Sequence, residues 1–321
     1  MVEFSYSSDI TDMEDTKFTK EKGEFDYKVI QETLEKLCEA TANLMEREWP
    51  AKYRQVDSAR VVFFQSLRIA INTYNTIFFI IADEKYYARR KIYALSLPPL
   101  VRTLFEQLIT FIFLIQDIPN YIPWLFRTGY TEHIIQLKHV QKYHGTKPDW
   151  TDYIDSLKAQ IAREESSGYL AQQEIQNPYN NIGRWPTPGR MLSKLRADKR
   201  GDPPTWDYIE YINDWLYREL SGQTHLNVSG LTMKGVHFSI NDAKMIFGDN
   251  WEEERNKKLE EYRQKQVWLS IILMLAIVSE IEGHFHFGRN QKAREIWTIL
   301  NEYSDFALDF WNTRYSALLP E

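Results

Sequence analysis

One cysteine, Cys38, is all that the chain carries in 321 residues, which excludes an internal disulfide framework and a cysteine-built zinc cage. Such a composition belongs to a reducing compartment, so the cytoplasm is expected. Glycine and proline, at 13 and 12 residues, are too sparse for a fibrous or low-complexity chain. The N-terminus, Met-Val-Glu-Phe-Ser, lacks the basic-then-apolar order of a signal peptide, and no export is expected. Long apolar runs are also missing. The longest nearly uninterrupted one, from 267 to 279, falls short of the roughly 20 residues that span a bilayer. The stretch from 61 to 82 contains Gln65, Arg68, Asn72 and Asn75, so both read as buried helices of a core outside any membrane.

A net charge of −6 argues against binding nucleic acid through the overall field. The excess is uneven, however, because Asp9, Asp12, Glu14, Asp15, Glu21, Glu24 and Asp26 crowd the start and leave the body near neutral. Within that body stands a basic cluster of Arg184, Arg190, Lys194, Arg196, Lys199 and Arg200, interrupted only by Asp198 and preceded by Trp185-Pro186. It reads either as a surface for a phosphate backbone or as a solvated loop and short helix.

What is present is a helical period almost throughout. Residues 1 to 23 read as a loose acidic segment, and 24 to 321 as a single helical domain. The expected helices cover about 26 to 48, 56 to 83, 96 to 116, up to 144 after Pro119 and Pro123, 150 to 168, 205 to 220, 251 to 287 and 291 to 318. Pro98 and Pro99 fit the first turn of the third, whose apolar residues wrap nearly all round and make it the expected centre. From 176 to 204 the sequence is rich in Asn, Pro, Gly and Arg, and only 191 to 196 reads as helical. Ser221-Gly222 reads as a helix terminator, and 236 to 247 has room for one small hairpin around Asn241-Asp242. The fold class is all-α: a multi-helix bundle with a long loop excursion and that one candidate hairpin.

Several chemistries lack their residues. No Glu-x-x-His occurs, so a di-iron bundle has no ligands, and no metal or other cofactor is expected. His284 and His286 point to different faces near a helix end, where cationic side chains are favoured; Glu280 and His284, one turn apart, have the spacing to pair, and His133, His139 and His144 have no ligand spacing. Neither a Gly-x-Ser-x-Gly elbow nor a phosphate-binding glycine loop is present. Cys38, among Leu37, Ala40 and Leu44, reads as a packing residue.

Two constellations remain. Arg102 and Glu106, one turn apart on the apolar third helix, are costly there unless paired, and read either as a salt bridge or as a functional pair. Arg218 and His225, with six residues between them and Glu219 directly after the arginine, supply what metal-free phosphodiester cleavage needs. The imidazole moves a proton near neutral pH while the guanidinium holds the phosphate. The other reading pairs Arg218 with an acidic neighbour, or has it cap its own helix end, and makes His225 a hydrogen-bonded core residue.

The arrangement Arg218-Glu219-x5-His225 resembles the Arg-x(4 to 6)-His motif of the HEPN superfamily, whose members are helical, often dimeric, and in many cases metal-independent ribonucleases of toxin or antiviral systems. The resemblance implies that His225 transfers the proton when a ribose 2′-hydroxyl attacks the adjacent phosphate, and that Arg218 stabilises the charge. It also implies that Glu219 fills the polar position and that a homodimer completes the site. With the upstream Arg102-x-x-x-Glu106 and with Ser221-x-x-x-His225, the chain is also similar to a family of uncharacterised microbial helical proteins carrying those two signatures. The competing expectation is a non-enzymatic interaction or ligand-binding protein in which Arg102, Glu106, Ser221 and His225 form a buried polar network.

Overall fold

The computed structural model describes residues 27–82, 95–224, 244–245 and 248–319. Every regular element among them is helical, and no strand occurs among the described residues. Most of the candidate hairpin, and His225 itself, lie outside the described residues. In chain order the helices are α1 (Tyr27–Arg47), α2 (Asp57–Ala82), α3 (Pro98–Gln116), α4 (Ile118–His144), α5 (Thr151–Ser166), α6 (Gln172–Gln176), α7 (Pro178–Asn181) and α8 (Pro188–Asp198). There follow α9 (Pro203–Ile212), α10 (Arg218–Thr224), α11 (Trp251–Phe285), α12 (Asn290–Tyr303), α13 (Asp305–Phe310) and α14 (Ser316–Leu318). The π-helical turns Asn213–Tyr217 and Trp311–Tyr315 join α9 to α10 and α13 to α14.

Two compact units divide the chain, one of residues 1–48, 64–111 and 202–321, the other of 49–63 and 112–201. In the first, α11 is the hub. From Gln266 to Glu282 every residue is buried, and α1 and α12 pack against it. The apolar all-round pattern of α3 made that helix the expected centre, but Arg102, Thr103, Glu106 and Gln107 keep one side of it only partly buried. By length and composition alone α3 and α11 could cross a membrane; 89% of the apolar window of α11 and 61% of that of α3 is buried inside the protein.

Polar residues tie the end of α11. Glu282, fully buried, accepts from Thr41 Oγ1 on α1 at 3.3 Å and from the Arg289 backbone N–H at 2.9 Å. Its carboxyl is held above the ordinary range because burial outweighs those bonds. His286 takes the left-handed conformation that closes the helix, its N–H reaching the Glu282 carbonyl at 2.9 Å. The position is therefore the C-terminal cap of α11. One glycine is required nearby: a Cβ on Gly283 would collide with Leu318 Cγ and stand 2.8 Å from Cδ1 and 3.0 Å from the Leu318 carbonyl oxygen. Gly283→Ala should therefore lower stability by about 1–3 kcal/mol through overpacking, outweighing the roughly 1 kcal/mol that helix propensity alone would add. A melting temperature equal to or above that of wild type would show that Leu318 gives way.

The second unit centres on Tyr130, Ile161, Leu170 and Ile182, which join α4, α5 and the segment after it. Glu174 on α6 is buried and bonded to Arg127 of α4, with its other oxygen accepting from the Ala171 N–H at 2.8 Å. His133 pairs with Glu164 on α5 at 3.0 Å, and the His144 ring stacks on Trp150 at 4.0 Å.

Four boundaries differ from the sequence reading. The fourth helix does not wait for Pro123: α4 begins at Ile118 and carries Pro123 inside it. The segment 176 to 204 is not mainly loop, since α7 and α8 lie within it; α8 begins at Pro188, where the ring's fixed φ suits a first helical turn. The last helix does not run unbroken from 291 to 318. Ser304 leaves it with φ −142°, and its hydroxyl accepts from the Ala307 N–H to start α13. Nor do Ser221-Gly222 end the helix: α10 carries both and continues to Thr224.

Candidate functional site

The motif segment leaves a π turn, which widens the backbone at Asn213–Tyr217 before α10 resumes. Leu216 and Leu220, both fully buried, fix which side of the segment faces inward. At about 100° per residue, Arg218 then points nearly away from the core, while Tyr217 and Glu219 leave on opposite flanks.

The contacts follow that wheel. The Arg218 side chain is 78% exposed and its guanidinium lies 3.5 Å from Asp214, itself 67% exposed. An ion pair so open to water holds neither partner firmly. Glu219 turns the other way and meets Lys265 of α11 at 2.5 Å, with both side chains largely buried. The two adjacent motif residues thus do different things: one presents charge to solvent, the other anchors α10 to the hub.

Tyr217 takes the second flank. Its ring stacks on Phe105 at 5.7 Å, its hydroxyl accepts from Arg102 Nη2 at 3.3 Å, and the Arg102 guanidinium lies 5.2 Å from its ring centroid. Arg102 Nε meets Glu106 Oε1 at 2.9 Å, and the arginine side chain is only 19% exposed. Arg102 and Glu106 are therefore brought beside the motif through Tyr217, a residue whose role the sequence did not signal. Ser221, half-buried, sits one turn after Tyr217 on α10. Double-mutant cycles on Arg102→Met and Tyr217→Leu should return a coupling of about 0.5–2 kcal/mol, the range for a partly desolvated cation on an aromatic ring. Additive losses would mean the two side chains are neighbours without interacting.

A second polar cluster lies deep in the same unit. Glu280, at 2% side-chain exposure, receives a bidentate pair from Arg314, whose Nη2 is 2.7 Å from Oε2 and whose Nε bonds Oε1. Arg314 Nη1 also donates to Thr205 at 3.1 Å, and its guanidinium lies over the Tyr208 ring. Tyr208 and Tyr315 share a hydrogen bond at 3.0 Å. Glu280 does not turn to His284, because Arg314 on the π turn offers a fork that matches both carboxylate oxygens. No sequence spacing announces that pair, which joins residues 34 apart.

The basic cluster belongs to the other unit. Arg184, Arg190, Arg196, Lys199 and Arg200 are exposed and Lys194 half-buried. Lys194 meets Asp198 at 2.7 Å and Arg200 meets Asp117 at 2.7 Å. Cys38 is buried in α1, and that burial pushes its thiol well above the ordinary range, as suits a packing residue. Among the described residues no group of His, Cys, Asp and Glu is placed to hold a metal ion. The chain matches no family model, no curated protein and no solved structure.

Proposed function

We propose that the chain is a HEPN-like endoribonuclease of a toxin or antiviral defence system, acting without metal in the cytoplasm as a homodimer. The observation that carries the reading is the presentation of Arg218. Its guanidinium stands in solvent on a helix anchored from both sides, by Glu219–Lys265 and by Tyr217–Arg102, and among the described residues only an open pair with Asp214 competes for it. A phosphate diester can displace so weak a partner, and a bidentate arginine suits it. His225 follows Ser221 by four residues and supplies the titratable group.

In this reading His225 takes the proton of the ribose 2′-hydroxyl, the oxygen attacks phosphorus, and the P–O5′ bond breaks as the His225 imidazolium returns that proton to the leaving 5′-oxygen. Arg218 balances the charge that builds on the phosphoryl oxygens. The products are a 2′,3′-cyclic phosphate and a 5′-hydroxyl end. Glu219 contributes by position, because its carboxylate is already held by Lys265. Incubating single-stranded RNA with the protein in excess chelator tests this. Cyclic-phosphate ends are expected from wild type and a strong loss from Arg218→Ala; intact RNA with wild type would remove the reading.

The Arg102–Glu106–Tyr217 contacts support a second reading, a non-enzymatic interaction protein whose polar side chains fix helix packing. In that case wild type leaves RNA intact, and Arg102 variants lose stability alone.

A further inference from the structure

We infer that the exposed face of α8 is a binding surface for single-stranded RNA, and that only part of the basic cluster does the binding. The inference rests on the RNA reading above in taking RNA as the polyanion. Met191, Leu192 and Leu195 are buried and define the inner side of α8. At about 100° per residue the outer side is then Arg190, Ser193 and Ala197, with Lys194 and Arg196 on its flanks. Ser193 and Ala197 are small, so the middle of the face is smooth and a backbone can approach closely. The helix ends with Lys199 in the left-handed conformation at φ 54°, the Arg200 N–H reaching the Leu195 carbonyl at 2.9 Å. That closure turns Lys199 out at the end of the face, where it is exposed.

The cations are not equivalent. Asp198 is held by both Lys194 and the Tyr121 hydroxyl, and Asp117 is held by Arg200, so two of the six positive charges are spent inside the unit. Arg184, Arg190 and Lys199 are exposed and carry no acidic partner among the described residues. Arg190 on the outer face, Lys199 at its end and Arg184 four residues before the helix form the charge complement of a phosphodiester backbone. Beside Arg184, the half-exposed Trp185 is braced edge-on by Phe113 at 5.5 Å and packs against Trp124 at 5.0 Å. A braced indole next to a cation provides a stacking surface for an unpaired base, and this favours a single strand over a duplex.

The test is fluorescence anisotropy with a labelled 2′-O-methyl RNA strand, which cannot undergo attack by its own 2′-oxygen, titrated with the full-length protein at several salt concentrations. The triple variant Arg184→Gln, Arg190→Gln, Lys199→Gln should bind at least about tenfold more weakly and flatten the salt dependence by roughly two units of slope. Lys194→Gln with Arg200→Gln should change affinity much less, since those charges are already neutralised. Trp185→Ala should weaken the single strand and leave duplex affinity unchanged. Arg190→Glu alone should shift binding in the same direction should the triple variant fold poorly. Wild-type affinity in the triple variant, or an equal loss in the Lys194/Arg200 pair, overturns the inference. Because this strand cannot be cleaved, binding without cleavage of ordinary RNA would end the ribonuclease reading and leave the surface standing.

Discussion

Glu280→Ala should lower stability by about 3–5 kcal/mol, because it leaves the Arg314 guanidinium buried without a counter-charge. For a unit of this size that corresponds to a fall of roughly 6–20 °C in melting temperature. The size follows from the environment: Arg314 keeps only 10% of its side-chain surface and Glu280 2%, so neither finds water when the other is removed. Thr205 Oγ1 at 3.1 Å and the Tyr208 ring still touch the cation, but neither carries a charge to match it. The double variant Glu280→Leu, Arg314→Met should lose less than the single one, since the cost of desolvating two ions disappears together with their attraction. Thermal unfolding of the three proteins checks both statements. A single variant as stable as wild type would mean that water reaches the pair.

The second large effect is on chemistry. His225→Ala should reduce RNA cleavage by about 10²–10⁴-fold, the range for removing a group that moves a proton in the transition state. Glu219→Gln separates chemistry from architecture. Because Lys265 holds the Glu219 carboxylate at 2.5 Å, this variant should cost stability while leaving the rate per folded molecule within a few-fold of wild type. Arg218→Ala should do the reverse, since a side chain 78% exposed adds little to the fold. A Glu219→Gln protein that is stable but inactive would place the carboxylate in the chemistry.

Periodicity carried most of the architecture. The three-and-four spacing of Phe63, Leu67, Ile71, Tyr74, Ile77 and Ile81 specifies the buried side of α2, and the prolines at 98, 99 and 119 fall in first turns, where a missing N–H costs nothing. The π turns left no such trace. A π turn adds one residue to a helical turn without changing the local composition, so Tyr217 and Arg314 were placed by backbone geometry that no spacing rule contains. Ser221-Gly222 shows the converse: residues that favour a helix end were overridden by the burial of Leu220 and the Glu219–Lys265 pair.

The candidate site was legible only where its contacts are local. Arg102 and Glu106 stand four apart on one helix, so their pairing could be written from the sequence. Tyr217 lies 115 residues from Arg102, and Arg314 lies 34 from Glu280; such partners are set by packing. In the basic cluster all six cations look equivalent from their spacing. The acids that neutralise Lys194 and Arg200, one of them distant at Asp117, divide them.

Single-turnover cleavage of a labelled RNA in excess chelator, comparing wild type with His225→Ala, tests the central claim most directly. Cyclic-phosphate products are expected from wild type, and at least about a 100-fold slower reaction from the variant. Equal rates from the two proteins would contradict it.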